Sequence, residues 1–263
     1  TGNLIGQAAG GTGLTNNWLD PVLNANVAYT VTNASGMSYN AGAGNITING
    51  GSQYGSVKAG PAAGPALAAA NLQLTSGLTV GTGAKYISFL MRFNGALDAS
   101  DQFTFHMATT DSTTSTLRSG VRESTGDQAF VANDSSSSVI ATPLLTTNTT
   151  YFSVVKLEST GINWTQATMW LNPTSLTLEG GGAAGSTTRA LSGNAAMNYL
   201  GFKFQNADIG DSFDLDEIRI GKALAKAFEL LDRQHVQFRA DPPGCAAVPV
   251  EDLPADPVQA PLL

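Results

Sequence analysis

The chain has 263 residues, enough for one large all-β domain or two small ones, and its 42% hydrophobic content is enough for a core. Charged residues make up only 13%, about half the usual share, and Gly, Ser, Thr and Asn fill the gap, as in turn-rich extracellular β-sandwiches. A net charge of −7 with scattered basic residues argues against nucleic-acid binding, and no apolar run is long enough to span a membrane.

The opening TGNLIGQAAGG reads as loop after a processed or trimmed start, with GGTG and NNW marking turns up to residue 26. Short β-like runs follow at VAYTVT (27–32) and NITI (45–48). KAGPAAGPALAAANLQL (58–74) is expected to start as a Pro/Gly/Ala loop and to become a strand around NLQLT. In KYISFLMRF (85–93), Ile87, Phe89, Met91 and Phe93 share one face at period two, while Tyr86 and Leu90 demand cover on the other. QFTFHMA (102–108), TLRSGVR (116–122), QAFVA (128–132) and SVIAT (138–142) continue the pattern. TYFSVVKLES (150–159) and TQATMWLNP (165–173) form a hairpin around STGINW, and NYLGFKF (198–204) aligns Leu200, Phe202 and Phe204.

Strands at this spacing, separated by turn residues, predict a two-sheet antiparallel jelly-roll sandwich. One stretch has helical period: KALAKAFELLDR (222–233), where Leu224, Phe228 and Leu231 predict a short helix packed on the sandwich. The tail 241–263 holds six prolines and is expected to be extended, with Val248, Val250, Leu253, Val258 and Leu262–Leu263 as apolar anchors. The organisation expected is one domain over residues 1–240 and a Pro-rich tail over 241–263.

DSFDLDEIRIG (211–221) concentrates four carboxylates in eleven residues. Phe213 and Leu215 share a face, but Ile218 and Ile220 have the opposite parity, so a β-bulge at Asp216–Glu217 is required to bury all four. A jelly-roll glucanase strand carries Glu-x-Asp-x-Glu; here those places hold Asp214, Asp216 and Ile218, and a two-carboxylate mechanism lacks its partner. Calcium is the cofactor these acids would take, with Asp214 and Asp216 as ligands and Asp208, Asp211 and Asn206 nearby. The plainer alternative is a set of solvated turn acids plus a Glu217–Arg219 strand pair.

YISFLMRF (86–93), WLNPTSL (170–176), FDLDEIRIG (213–221) and the opening GNLIGQAAGGTGLTNNW occur in an order that resembles the concanavalin A-like, LamG-like jelly-roll domains of bacterial secreted and cell-surface proteins, of the planctomycete and verrucomicrobial, exosortase-associated type. The resemblance spans about residues 2–228. It implies a two-sheet sandwich, an extracellular or cell-surface location and no enzymatic role; related laminin-G-type domains bind glycans or proteins, some through calcium. Two departures stand out: an aromatic first strand and a hydrophobic sorting tail are expected and not found. A missing first strand would leave a sheet edge open to a second copy, with the acidic 211–221 strand bordering that edge.

Other chemistry is sparse. His106 and His235 are the only histidines, and no Gly-x-Ser-x-Gly, HExxH, CxxC or P-loop pattern occurs, so both are expected to be structural. Trp164, in the GINWT turn, is the candidate glycan-stacking platform, whereas Trp170 reads as core. Five Asn-x-Ser/Thr sequons occur, with Asn133 and Asn148 the candidate glycosylation sites. The single cysteine, Cys245, is a candidate intermolecular thiol. The leading expectation is a non-catalytic extracellular module that self-associates into a surface layer, filament or matrix, with copies of itself or other surface proteins as partners. A lectin-like glycan-binding module, calcium-dependent or not, is the alternative, and a polysaccharide-active enzyme is the remote third.

Overall fold

The computed structural model describes residues 2–6, 14, 17–21, 27–222 apart from 34, 43–45, 52, 61–66, 82, 99, 124, 134–135, 176–177 and 194–195, and the pair 235–236. The predicted helix, the Pro-rich tail and Cys245 lie outside the described residues.

The described chain is all β. The strands are β1 (Gly2–Asn3), β2 (Val27–Asn33), β3 (Ser38–Asn40), β4 (Thr47–Asn49), β5 (Gln53–Ala59), β6 (Ala68–Leu78), β7 (Lys85–Asn94) and β8 (Gln102–Ala108). They continue with β9 (Leu117–Glu123), β10 (Asp127–Ala132), β11 (Ser137–Val139), β12 (Tyr151–Thr160), β13 (Asn163–Leu171), β14 (Gly185–Gly193), β15 (Met197–Gln205), β16 (Ser212–Gly221) and β17 (His235–Val236). The larger sheet runs β1-β2-β5-β16-β7-β12-β13-β14, with β17 on β16; the smaller runs β11-β10-β9-β8-β15-β6. Every pairing is antiparallel, so the predicted two-sheet sandwich stands.

Period-two alternation builds the core. Ile87, Phe89, Met91 and Phe93 of β7 point inward against Phe103, Phe105 and Met107 of β8 and Phe202 and Phe204 of β15, all at most 1% exposed. Phe89 meets Phe105 at 4.9 Å between ring centroids, and Phe103 stacks on Phe213 at 5.8 Å, so aromatic rings from the two sheets interlock. Each fully buried Phe contributes about 2–3 kcal/mol.

The bulge expected from parity is present. Pairing of β16 with β7 shifts between Asp216 and Arg219, and Glu217 takes a left-handed φ of 52°. Phe213, Leu215 and Ile218 are then fully buried and Ile220 is 8% exposed. The strand does not border an open edge. Before the bulge β16 lies between β5 and β7, and beyond it between β7 and β17.

Cover for the outer side of β7 comes from a small hairpin. β3 and β4 lie over Tyr86, Leu90, Phe152, Val154 and Trp170, and with Met37, Ile46 and Ile48 these form a second apolar cluster. The sequence did not announce β1, β3, β5 or β17, and two further segments depart from expectation. The Ala run 68–70 is the start of β6, fully buried, because a packed interface needs small side chains there more than it needs strand propensity. β14, Gly185–Gly193, has no counterpart in the sequence reading; as the end strand of its sheet it lacks the alternating apolar pattern that marks a strand.

Candidate functional site

The carboxylates of β16 do not converge on one point. Asp214, 3% exposed, accepts from Arg92 through both Nε (2.9 Å) and Nη2 (2.8 Å). Asp216 turns to the backbone: its Oδ2 accepts the Met37 N–H and its Oδ1 the Glu217 N–H, both at 2.8 Å. Glu217 pairs with Arg219, as the plainer reading of this strand expects. Both calcium candidates, Asp214 and Asp216, are thus engaged by the protein itself: a guanidinium holds the first carboxylate, and the second clamps the β3–β4 hairpin to the sheet.

Arg92 has a further contact. Its guanidinium lies 5.0 Å from the centroid of the Tyr54 ring. Burial lowers its basicity, but the Asp214 hydrogen bonds and charge, with Tyr54, outweigh this and raise its pKa. Register explains the assembly. On the outer side of the larger sheet, Thr30, Ser56, Asp214 and Arg92 form one row across four strands, and Ala28, Lys58, Ser212 and Asn94 form the next. Tyr54 stands beside Ser56 at period two and packs against the cluster under the hairpin. Half of this outer face is thus roofed by an apolar hairpin, while the half beside it is polar, with Arg92, Asn94, Ser212, Thr30 and Tyr54 half-buried and Lys58 exposed. Nothing in the sequence reading pointed to Tyr54 or Arg92; the available signal was the alternation Tyr54-Ser56-Lys58 against Gly55-Val57-Ala59.

The predicted glycan platform is not on the surface. Trp164 is fully buried in the main core, its strand-end position carrying it inward rather than out over the turn. Trp170, 8% exposed, belongs to the second cluster, as core. Tyr86 donates to Glu179 on the same outer face, burial and that carboxylate push its pKa up to about 12, and Lys156 pairs with Glu179 (2.9 Å) and Glu158 (3.1 Å).

His106 is structural. It is fully buried on the outer side of the smaller sheet; Nδ1 lies 3.1 Å from Ser115 Oγ and Nε2 lies 2.7 Å from Asn71 Oδ1. Asn71 also donates to Asp111 and to the Ser112 carbonyl, and Lys203 donates to the Thr113 carbonyl and Ser115 Oγ, so the network pins the 109–116 loop to the sheet. Burial, then the Lys203 and Arg118 charges, lowers the His106 pKa to about 3. His235 is in β17, paired opposite Arg219.

Of the glycosylation candidates, Asn148 is exposed with a left-handed φ of 60°. Asn133 is half-buried, its Nδ2 donating to the Ala190 carbonyl (3.2 Å) and its Oδ1 accepting from Ser136. It closes the edge of β14.

A second acidic group lies at one end of the sandwich, in the adjacent β7–β8 and β15–β16 loops. Asp98, Asp101 and Asp208 each bring a carboxylate oxygen within 4.8 Å of the other two. Asp208 was among the acids noted in the sequence; Asp98 and Asp101 were missed, although both loops carry Asp-x-x-Asp directly before a strand.

No family model and no curated protein matches the chain. Among solved structures, it is similar to an endo-β-1,4-glucuronan lyase from the fungus Trichoderma reesei, at 10% identity and a TM-score of 0.49, covering 82% of this chain and 96% of that one. It is also similar to the cellulose-induced protein Cip1, at 16% identity and a TM-score of 0.48, covering 78% and 91%. The globular domain of T. cruzi calreticulin follows at 11% identity and a TM-score of 0.47, covering 79% and 84%. No helix among the described residues is long and apolar enough to cross a membrane.

Proposed function

We propose that the chain is a non-catalytic, extracellular glycan-binding module that reads its ligand on the outer face of the larger sheet. The observation that carries this is the Arg92 guanidinium, fixed by Asp214 and laid on the Tyr54 ring. A planar cation held in place on rigid strands offers donors to sugar hydroxyls or a uronate carboxylate at little entropic cost. Ser212, Asn94 and Lys58 add donors on the next row, and the β3–β4 hairpin walls one side. The non-catalytic part rests on the carboxylates. Glycoside hydrolysis needs two acids flanking the bond, whereas Asp214 is paired to Arg92 and Ile218 fills the third position. His106, the other acid–base candidate, has both ring nitrogens engaged.

A glycan array followed by calorimetry tests the proposal. Tyr54→Ala and Arg92→Lys should each weaken binding about tenfold or more, about 1.4 kcal/mol, with the thermal midpoint of Arg92→Lys close to wild type. Thr188→Lys, on the distant β14 strand, should bind as wild type. Equal binding by all three variants, or cleavage of the bound glycan, contradicts it.

Self-association is the second reading, favoured by one edge. Among the described residues, β1 pairs with Val31 and Thr30 of β2 and the Leu4 N–H donates to the Tyr29 carbonyl, which leaves the Val27–Ala28 end of β2 as an edge that a second copy could extend. The opposite edge is guarded by Asn133 on Ala190 and by Arg189 on Ser136. Light scattering decides it: particles growing with concentration support assembly, and a constant monomer mass removes it.

A further inference from the structure

The two crossovers between the sheets at one end of the sandwich are built alike. β7 leads to β8 through Asp98-x-x-Asp101, and β15 leads to β16 through Asp208-x-x-Asp211. Because β7 pairs with β16 and β8 with β15, the loops run side by side. In the first, the Asp98 N–H donates to Asp101 Oδ2 (3.0 Å) and the Asp101 N–H to the Asp98 carbonyl (3.0 Å). In the second, the Asp208 N–H donates to Asp211 Oδ2 (3.0 Å) and the Asp211 N–H to the Asp208 carbonyl (3.1 Å). Asn206 Nδ2 reaches the Ser100 carbonyl across the gap. Gly95 makes room for the second turn: a Cβ there would stand 1.8 Å from Asp211 Oδ1.

The arrangement concentrates negative charge. Asp101 is fully buried, and its Oδ1 meets no hydrogen-bond donor in a group whose ligand oxygens all lie within 4.8 Å. None of the four acids forms an ion pair with a described residue. A buried carboxylate that has one oxygen without a donor and stands in a group with two more carboxylates is costly unless something positive joins it. Two oxygens on one calcium ion lie at most about 5 Å apart, and calcium takes carboxylates in irregular sets of six to eight oxygens.

We propose that Asp98, Asp101 and Asp208 bind a calcium ion that staples the β7–β8 and β15–β16 crossovers together. The site is distinct from the acids of β16 and lies outside the Tyr54–Arg92 face, so it stands or falls independently of the glycan reading.

Calorimetric titration of the full chain with calcium chloride tests it, alongside thermal midpoints in calcium and in chelator. The wild type should bind calcium saturably and melt at a higher temperature with calcium than with chelator. Asp98→Asn with Asp208→Asn, both at exposed positions, should keep the chelator midpoint and lose the calcium-dependent rise. Should the double variant not fold, each single variant should weaken calcium binding about tenfold or more. No saturable binding by the wild type overturns the proposal. So does binding that survives the double variant, above all if Asp214→Asn then abolishes it.

Discussion

At the scale of single residues, buried polar side chains in this protein act as anchors. Asp216 is the clearest. Its two oxygens accept two backbone N–H groups, one from the hairpin and one from the bulge. Asp216→Ala should destabilise the protein by about 2–6 kcal/mol, since it orphans two buried donors at about 1–3 kcal/mol each; urea denaturation checks this. His106 makes a pH-dependent contribution. Its folded pKa of about 3 lies below the ordinary imidazole value of 6.5, so protonation favours the unfolded chain. The contribution is complete above the unfolded value and is lost as pH falls toward the folded one, at about 1.4 kcal/mol per pH unit. His106→Gln should remove one proton from the slope of stability against pH in that window, measured by urea midpoints; an unchanged slope would contradict the buried neutral ring. The sequence marked both residues as structural or acidic but could not show their partners, because Met37, Ser115 and Asn71 come from distant or loop segments.

At the scale of elements, most strands were legible, whereas β5, β14 and the start of β6 were not. β7, β8, β12, β13 and β15 follow from period two, and the bulge in β16 follows from the parity of Leu215 and Ile218. The strand start at Ala68–Ala70 was hidden because its small residues answer to packing, and the exposed edge β14 because nothing apolar marks it. The hairpin β3–β4 was legible only in part, as the NITI run, yet it decides which half of the outer face stays open. Its seat predicts a coupled pair of mutations. A Cβ at Gly50 would stand 2.1 Å from the Met37 carbonyl and 2.5 Å from Asp216 Oδ2, so Gly50→Ala should unseat the hairpin. A Cβ at Gly51 meets nothing within 4 Å, and Gly51→Ala should be silent. In a double-mutant cycle, Gly50→Ala and Asp216→Ala should be less than additive, because either one releases the same clamp; simple additivity would mean that the two act separately.

At the scale of the whole molecule, two sheets lock through interleaved aromatic rings, and the surface divides by chemistry. One end carries twin acidic turns; the outer face of the larger sheet is half roofed and half polar. The fold class was legible from strand spacing, whereas the candidate sites were not, because each joins residues far apart in sequence: Tyr54 of β5 with Arg92 of β7, Asp98 of one crossover loop with Asp208 of the other. Trp164 illustrates the cost of judging exposure from a turn motif alone, since the residue is fully buried. The polar half-face is the centre of the functional account, and its most direct measurement is the affinity of wild type and Arg92→Lys for the strongest glycan found on an array. Wild-type binding should be saturable and should fall about tenfold or more in the variant while the thermal midpoint holds. Equal affinity in the two proteins, or no glycan bound by the wild type, would contradict it.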